Sequence, residues 1–240
     1  MKLSIVIPVY NELDTWRDLL DRVLAVDLAG WRKQVILVDD GSTDGTCRQL
    51  QLFAESGDFE ARADKAEFKV VFHEKNRGKG AALRTGFAAA DGEVVIVQDA
   101  DLEYDPNDYP RLIAPIADGR ANVVYGSRFA GRGSRKGYLK NYLANRFLTG
   151  LSNLTTRHKL TDMETCYKVF RRPIIQSIRL EQDRFGFEPE VTAKLSKLGI
   201  DILEVPIRYE ARTHEAGKKI GWKDGLKAVW CIFKYGLRRR

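Results

Sequence analysis

The stretch 94-VVIVQDADLEYDP-106 is apolar over Val94–Val97 and then places Asp99, Asp101, Glu103 and Asp105 on alternate positions. A short β-branched run of this kind is the pattern of a strand buried on both faces. Carboxylates crowded at its end repel one another unless a cation or a donor-rich ligand offsets their charge. In parallel sheets, ligands bind beyond the carboxyl ends of the strands. The stretch therefore reads as a strand that delivers acids into a ligand crevice, and it sets the fold class.

Side chains alternate along a strand, so Asp99, Asp101 and, by continuation, Glu103 project to one side. Carboxylate oxygens suit a hard cation such as Mg²⁺ or Mn²⁺, which keeps positions open for substrate phosphate oxygens. The plain alternative is a solvated acidic loop, with Asp105-Pro106 opening the next helix.

Working outward, short apolar runs alternate with segments of helical period. "LSIVIPVY" (3–10) reads as a strand. Leu13, Trp16, Leu20, Val23 and Leu24 follow at helical spacing, opposite Asp14, Arg17, Asp18 and Asp21. "QVILVDDGSTDGT" (34–46) is a second strand and turn, with Ser42 to Thr46 opening a helix that carries Cys47, Leu50 and Phe53. "FKVVFHE" (68–74) is a third strand, joined by "KNRGKG" to a helix over 80–90, and "NVVYGSRF" (122–129) follows the acidic strand as a fifth. This alternation predicts an α/β fold with a mostly parallel central sheet and helices on both faces.

Beyond residue 130 come a Gly/Arg/Lys-rich loop, a helix near 141–154, the segment "TDMETCYKVFRR", a helix near 187–198 and the strand "IDILEVPIRYE". No repeat or linker-like composition interrupts the chain, so 1–220 reads as one domain. Residues 56–67 are charged and read as a surface loop.

Two further strand ends share the acidic character. "IPVYNE" places Asn11 and Glu12 after the first strand, and "LVDDGSTDGT" places Asp39, Asp40 and Ser42 after the second. Adjacent parallel strands bring these edges together, where acids accept hydrogen bonds from a base and from ribose hydroxyls. Gly78-x-Gly80 lacks the third glycine of the dinucleotide fingerprint, and no GxxxxGK[ST] occurs; both familiar phosphate loops are missing.

Bulk properties narrow the partners. Hydrophobic residues make up 44% of the 240 and charged residues 30%, the composition of a soluble globular protein. The formal charge of +7 points to an anionic partner: nucleic acid, a lipid surface or a phosphorylated substrate. Cys47, Cys166 and Cys231 are widely spaced and odd in number, which favours a reducing cytosolic setting. His73, His158 and His214 show no ligand spacing. No signal-peptide pattern precedes the first strand, and no run approaches the roughly 18 apolar residues of a membrane span.

Residues 221–240 read as a basic amphipathic helix. Leu226, Val229, Trp230, Phe233 and Leu237 share one face, with Lys223, Lys227, Lys234 and Arg238 along its flank. That pattern suits an anionic membrane surface; the alternative is a terminal helix packed on the core.

Taken together, "IPVYNE", "ILVDDGSTDGT", "NRGKGAALRTG", "QDADLEYDP" and "VVYGSRF" resemble the family 2 glycosyltransferases with the GT-A fold. Within them the chain most resembles the dolichyl-phosphate mannose synthase group of polyprenyl-phosphate glycosyltransferases, over roughly 1–220. The resemblance implies an inverting hexosyl transfer from a nucleotide-diphosphate sugar, GDP-mannose or a UDP-sugar, to dolichyl or undecaprenyl phosphate. Pro8, Tyr10, Glu12, Val38 and Asp40 would line base and ribose, and Asp99 and Ala100 would touch the nucleotide. Asp101 and Glu103 would hold Mg²⁺ or Mn²⁺, with Asp101 and Arg128 serving catalysis. Arg212 and Lys219, in "ARTHEAGKKIGW", would close over the diphosphate, and Arg128, Arg135 and Arg146 would meet the acceptor phosphate.

The same resemblance implies a cytoplasmic protein, peripheral on the cytosolic face of a membrane, and allows a membrane-protein partner. Where relatives read roughly D-x-T-S-G-[FY]-[RK], this chain reads "DMETCYK", Asp162 to Lys168. Two other readings stand beside it. A family 2 enzyme that glycosylates a sugar hydroxyl in polysaccharide or glycolipid synthesis needs a carboxylate base, for which Asp162 and Glu164 are candidates. A non-catalytic nucleotide- or nucleic-acid-binding protein would also be basic, but no RNP-like aromatic motif is present, and no nucleic-acid partner is expected.

Overall fold

The strands are β1 (Lys2–Val9), β2 (Arg32–Asp39), β3 (Glu67–Phe72), β4 (Val94–Val97), β5 (Val123–Ser127), β6 (Lys168–Arg171) and β7 (Ile202–Pro206). Between and after them run α1 (Trp16–Ala25), α2 (Thr46–Glu55), α3 (Lys79–Ala89), α4 (Tyr109–Ala117), α5 (Leu139–Thr155), α6 (Arg172–Ser177), α7 (Phe187–Lys197) and α8 (Trp222–Gly236). This computed structural model describes residues 1–56, 62, 64–131, 139–211 and 222–237, with the backbone alone at 139, 140 and 222–224.

The strands form one sheet in the order β3-β2-β1-β4-β6-β5-β7. β1 pairs in parallel with β2 and β4, β2 with β3, and β5 with β7. Ile5, Val6 and Ile7 are all fully buried. Successive strand residues face opposite ways, so both faces of the sheet are covered, as the sequence pattern predicts.

One strand departs from that pattern. β6 lies inside "TDMETCYKVFRR" and runs antiparallel to both β4 and β5. Its four residues include Lys168, which is fully buried in spite of its charge. A lysine in so short a run hides the apolar signal, and Pro173 at the start of α6 interrupts the period at once. The fold is thus a mixed, mostly parallel sheet.

Local chemistry fixes the helix ends nearest the site. The Lys33 ammonium, buried at the foot of β2, donates to the carbonyls of Val23, Leu24 and Val26 at 3.1, 2.8 and 2.5 Å. It satisfies orphan acceptors where α1 ends and suits the negative end of the helix dipole. At the start of α2, Asp44 Oδ1 accepts from the Thr46 N–H at 2.9 Å and its hydroxyl at 2.6 Å. Asp105 accepts from Asn107 N–H at 2.9 Å and opens the 3₁₀ turn before α4, as the Asp-Pro signal predicts.

The strand order also locates the crevice. The chain lays β2 and β3 outward on one flank of β1, then crosses to place β4 on the other. Strand order reverses between β1 and β4, and ligands bind at such switch points, beyond the carboxyl ends. The residues just beyond those ends are 10–12 and 98–103.

Candidate active site

The loops after β1 and β2 are laced together. Asn11 N–H donates to Ser42 Oγ at 3.0 Å, and Asn11 Oδ1 accepts from Thr43 N–H at 2.8 Å. Glu12 N–H reaches Thr46 Oγ1 at 3.1 Å, and Glu12 Oε2 accepts from the Thr15 hydroxyl at 2.7 Å. Asn11 takes φ 51°, a left-handed conformation that asparagine tolerates better than most residues. Pro8 and Tyr10 are half-buried at the rim.

The adjacent acids Asp39 and Asp40 divide the labour. Asp40 Oδ1 accepts from Arg77 N–H at 3.0 Å and meets His73 Nδ1 at 2.7 Å, while Oδ2 accepts from Gly78 N–H at 2.6 Å. Asp40, expected at the ribose, braces the loop between β3 and α3. Gly78 there has φ 101°, and a Cβ would lie 2.4 Å from Asp183 O, so only glycine fits. Asp39 ends β2 fully buried; its Oδ2 accepts from Ser42 N–H at 3.2 Å, and its Oδ1 has no hydrogen-bond partner. A buried oxygen without a donor is costly in a folded protein. Val38, also expected at the nucleotide, is fully buried and paired on both sides inside the sheet.

After β4, Gln98 is fully buried and satisfied: Oε1 accepts from the Tyr109 and Tyr167 hydroxyls at 2.7 and 2.8 Å, and Nε2 donates to Asp99 O at 2.9 Å. It turns the chain so that Asp99 meets Lys79 Nζ at 2.8 Å. Lys79 also lies 3.2 Å from Glu188 Oε1. Ala100 is buried behind this pair. Leu102 is left-handed, with φ 61°, at the bend between Asp101 and Glu103. Asp101 Oδ1 accepts from Glu103 N–H at 3.2 Å, and Glu103 Oε2 accepts from the Tyr209 hydroxyl at 2.9 Å.

Tyr209 connects this acidic edge to the basic one. A bridge between Tyr104 and Tyr209 pins the segment after β7 to the acidic loop. The Arg128 guanidinium lies 5.2 Å from the Tyr209 ring centroid. Burial raises the Tyr209 phenol, and the charges of Glu103 and Asp101 raise it further. The sequence reading did not single out Tyr209; its signal was an aromatic between the last strand and the basic "ARTHEAGKK" loop.

Arg128 itself is buried and held in a fork. Nε donates to Asp162 Oδ2 at 2.7 Å, Nη2 to Oδ1 at 2.8 Å, and Arg128 N–H to Oδ2 at 3.0 Å. Burial opposes its charge, but Asp162 holds the guanidinium ionised. Arg146 is exposed on α5 and donates to Thr161 O at 3.2 Å, so both arginines reach the 161–162 segment. Arg135, Arg212, Lys219 and His214 lie outside the described residues.

Just beyond Asp162, Glu164 is pushed up to about 8 by burial and by the charge of Glu188, against the pull of Lys168 and Arg128. Among the described residues no three His, Cys, Asp or Glu side chains form a metal cluster. Asp101 and Glu103 supply two carboxylates, a donor set that fits Mg²⁺ or Mn²⁺ when substrate phosphates complete the shell.

A doubly wound α/β sheet with acids at its switch point has the layout in which such folds bind ligands. The chain belongs to glycosyl transferase family 2, whose model matches residues 4–179. It is 30% identical over 217 residues to undecaprenyl-phosphate 4-deoxy-4-formamido-L-arabinose transferase of Edwardsiella ictaluri, across 90% of this chain and 62% of that protein. Identity to the dolichol-phosphate mannosyltransferase of Pyrococcus furiosus is 28% over 242 residues, 98% of this chain and 64% of that one. The chain thus spans about three fifths of the length of the curated relatives it matches. A crystal structure of glucosyl-3-phosphoglycerate synthase from Mycobacterium tuberculosis, in complex with Mn²⁺, uridine diphosphate and glucosyl-3-phosphoglycerate, aligns with TM-score 0.68 at 21% identity, covering 100% of this chain and 81% of that one. That likeness carries the GT-A fold.

Proposed function

We propose that this chain transfers a hexose from a nucleotide-diphosphate sugar, GDP-mannose or a UDP-sugar, to a polyprenyl phosphate, with inversion and with Mg²⁺ or Mn²⁺. The observation that carries this reading is the Arg128–Asp162 fork. An acceptor hydroxyl needs a carboxylate base. Asp162, one of the two candidates for that base, is committed to Arg128 through both oxygens. Burial and the charge of Glu188 push Glu164, the other, toward its protonated form. A lipid phosphate is already anionic near neutrality, its second pKa being about 6. It needs placement by guanidinium groups, which Arg128 and Arg146 offer, rather than deprotonation.

On the donor side, Glu12, Tyr10 and Pro8 meet the base and ribose at the rim. Asp99 and the Lys79 ammonium flank the nucleotide, and Arg212 and Lys219 close over the diphosphate. Asp101 and Glu103 hold the cation, which supplies charge stabilisation for the leaving diphosphate. Two relatives named above, the 4-deoxy-4-formamido-L-arabinose transferase and the mannosyltransferase, carry a polyprenyl phosphate in their names, which supports this reading.

The acceptor lipid places the protein at a membrane surface, on the cytosolic face. No helix among the described residues is long and apolar enough to cross a bilayer. α8 buries Ala228, Cys231, Ile232 and Tyr235 and exposes Leu226, Trp230 and Phe233, with Leu237 exposed just beyond its end. α5 packs beside it and exposes Leu143, Phe147 and Leu154. An apolar face of this kind with lysines on its flank suits an anionic bilayer.

Purified protein with a panel of nucleotide sugars, Mg²⁺ or Mn²⁺ and a short polyprenyl phosphate should yield a glycolipid. Asp101→Ala should lower the rate about 10³-fold, the several kcal/mol a metal supplies, with an unchanged circular dichroism spectrum. No product from any donor would sink the reading.

A further inference from the structure

The acidic loop after β4 is held from across the crevice. Leu102, directly before Glu103, is a bulky residue in the left-handed region at φ 61°. Such a conformation is costly and persists only where its surroundings over-determine it. The segment after β7 is stapled along this loop. Arg208 N–H donates to Asp108 Oδ2 at 2.7 Å, and Arg208 Nη1 to Asp105 Oδ2 at 3.1 Å. Glu210 N–H donates to Glu103 O at 2.9 Å. Between these two ties, Tyr209 pairs with Tyr104 in an antiparallel bridge.

Both ends of the Tyr209 side chain are engaged. Its ring centroid lies 5.3 Å from that of Tyr104 and 5.2 Å from the Arg128 guanidinium. Each neighbour is itself fixed: the buried Tyr104 hydroxyl accepts from Cys166 N–H at 3.1 Å, and Arg128 sits in the Asp162 fork. From that seat the Tyr209 hydroxyl donates to Glu103 Oε2 at 2.9 Å. A carboxylate carries about four lone-pair positions, so one phenol bond orients the group without exhausting its capacity to coordinate. Carboxylates that bind metals are commonly held in this way by a donor outside the metal's own shell.

We propose that Tyr209 is a positioning residue for the cation: its hydroxyl orients the Glu103 carboxylate, and its ring, seated between Tyr104 and Arg128, keeps that hydroxyl in place. This rests on the assignment of Asp101 and Glu103 to Mg²⁺ or Mn²⁺. The last strand, through the residue three places before Arg212, thereby sets the geometry of the acidic edge delivered by β4.

Tyr209→Phe keeps the ring and the backbone ties and removes only the donor. Calorimetry measures binding of UDP and GDP to wild type and variant, once with Mn²⁺ and once with EDTA. Losing the outer donor of a metal-binding carboxylate costs about 10–100-fold in metal affinity. Tyr209→Phe should therefore bind the Mn²⁺ nucleotides about tenfold more weakly than wild type. The metal-free nucleotides should bind the two proteins equally. In a Glu103→Ala background, where the phenol has no carboxylate to orient, the same substitution should have no effect, because the two residues act as one unit.

Equal affinity of wild type and Tyr209→Phe for the Mn²⁺ nucleotides overturns the positioning role. So does an equal weakening with and without metal, which marks a general loosening of the crevice. A loss that persists undiminished in Glu103→Ala overturns it too, since the hydroxyl then acts elsewhere. A wild type that shows no preference for the Mn²⁺ form rejects the cation assignment itself, and the role of Tyr209 with it. A preference that survives intact in Tyr209→Phe rejects that role alone.

Discussion

The two sides of the crevice are built by different physics. On the β1–β2 side, short loops are tied mainly by hydrogen bonds to backbone N–H groups: Asn11 and Glu12 to the 42–46 loop, and the Asp40 carboxylate to the backbone of Arg77 and Gly78. On the β5–β6 side, charges are held out of water: Arg128 in a fork with Asp162, and Lys168 among backbone carbonyls. The first side depends on many modest bonds, so losing one leaves the others in place. The second places ions out of water, where each needs its partner and where losing one leaves the other stranded. A guanidinium so fixed is ready to meet a phosphate without reorganising, the usual source of electrostatic catalysis.

The largest test of that contrast is Asp162→Ala. It leaves Arg128 buried and unpaired and should destabilise the fold by about 3–5 kcal/mol in urea unfolding. A loss below about 1 kcal/mol would mean the fork is solvated, and the contrast would collapse. Next come the adjacent acids of the other side. Asp40→Asn removes an acceptor from loop donors and should cost about 1–3 kcal/mol of stability. Asp39→Asn, where one loop N–H is at stake, should cost less in the same urea unfolding. If the two variants behave alike, the division of labour between them is wrong.

The smallest effect concerns the apolar face of α5 and α8, which flanks the charged side. Phe147 and Trp230 are 61% and 52% exposed, so Phe147→Ser with Trp230→Ser should alter stability by no more than about 0.5 kcal/mol. The double variant should float severalfold less with anionic liposomes. Unchanged flotation would remove this face from membrane docking.

Legibility in the sequence follows the same division. The strand-end acids, the β–α alternation and the loop "NRGKGAALRTG" are local signals, and strands and helices appear where their periods place them. β6 was illegible because its buried Lys168 draws its support from β4, β5 and backbone carbonyls distant from any local pattern. Tyr209 was passed over because a lone aromatic at a strand end gains meaning only beside Glu103 and Arg128. Asp39 and Asp40 are indistinguishable as neighbours in a motif; the loop donors that choose Asp40 arrive from residues 73–78.

The sequence by itself determined the α/β class, the family and the acidic edge at Asp99, Asp101 and Glu103, because strand period and strand-end chemistry are short-range. Tertiary structure alone decided which acids face the crevice and which brace it. It also decided that both oxygens of Asp162 meet the Arg128 guanidinium. Those outcomes depend on burial and on partners dozens of residues away, and a carboxylate's charge, proton and freedom are set by that surrounding rather than by its place in the chain.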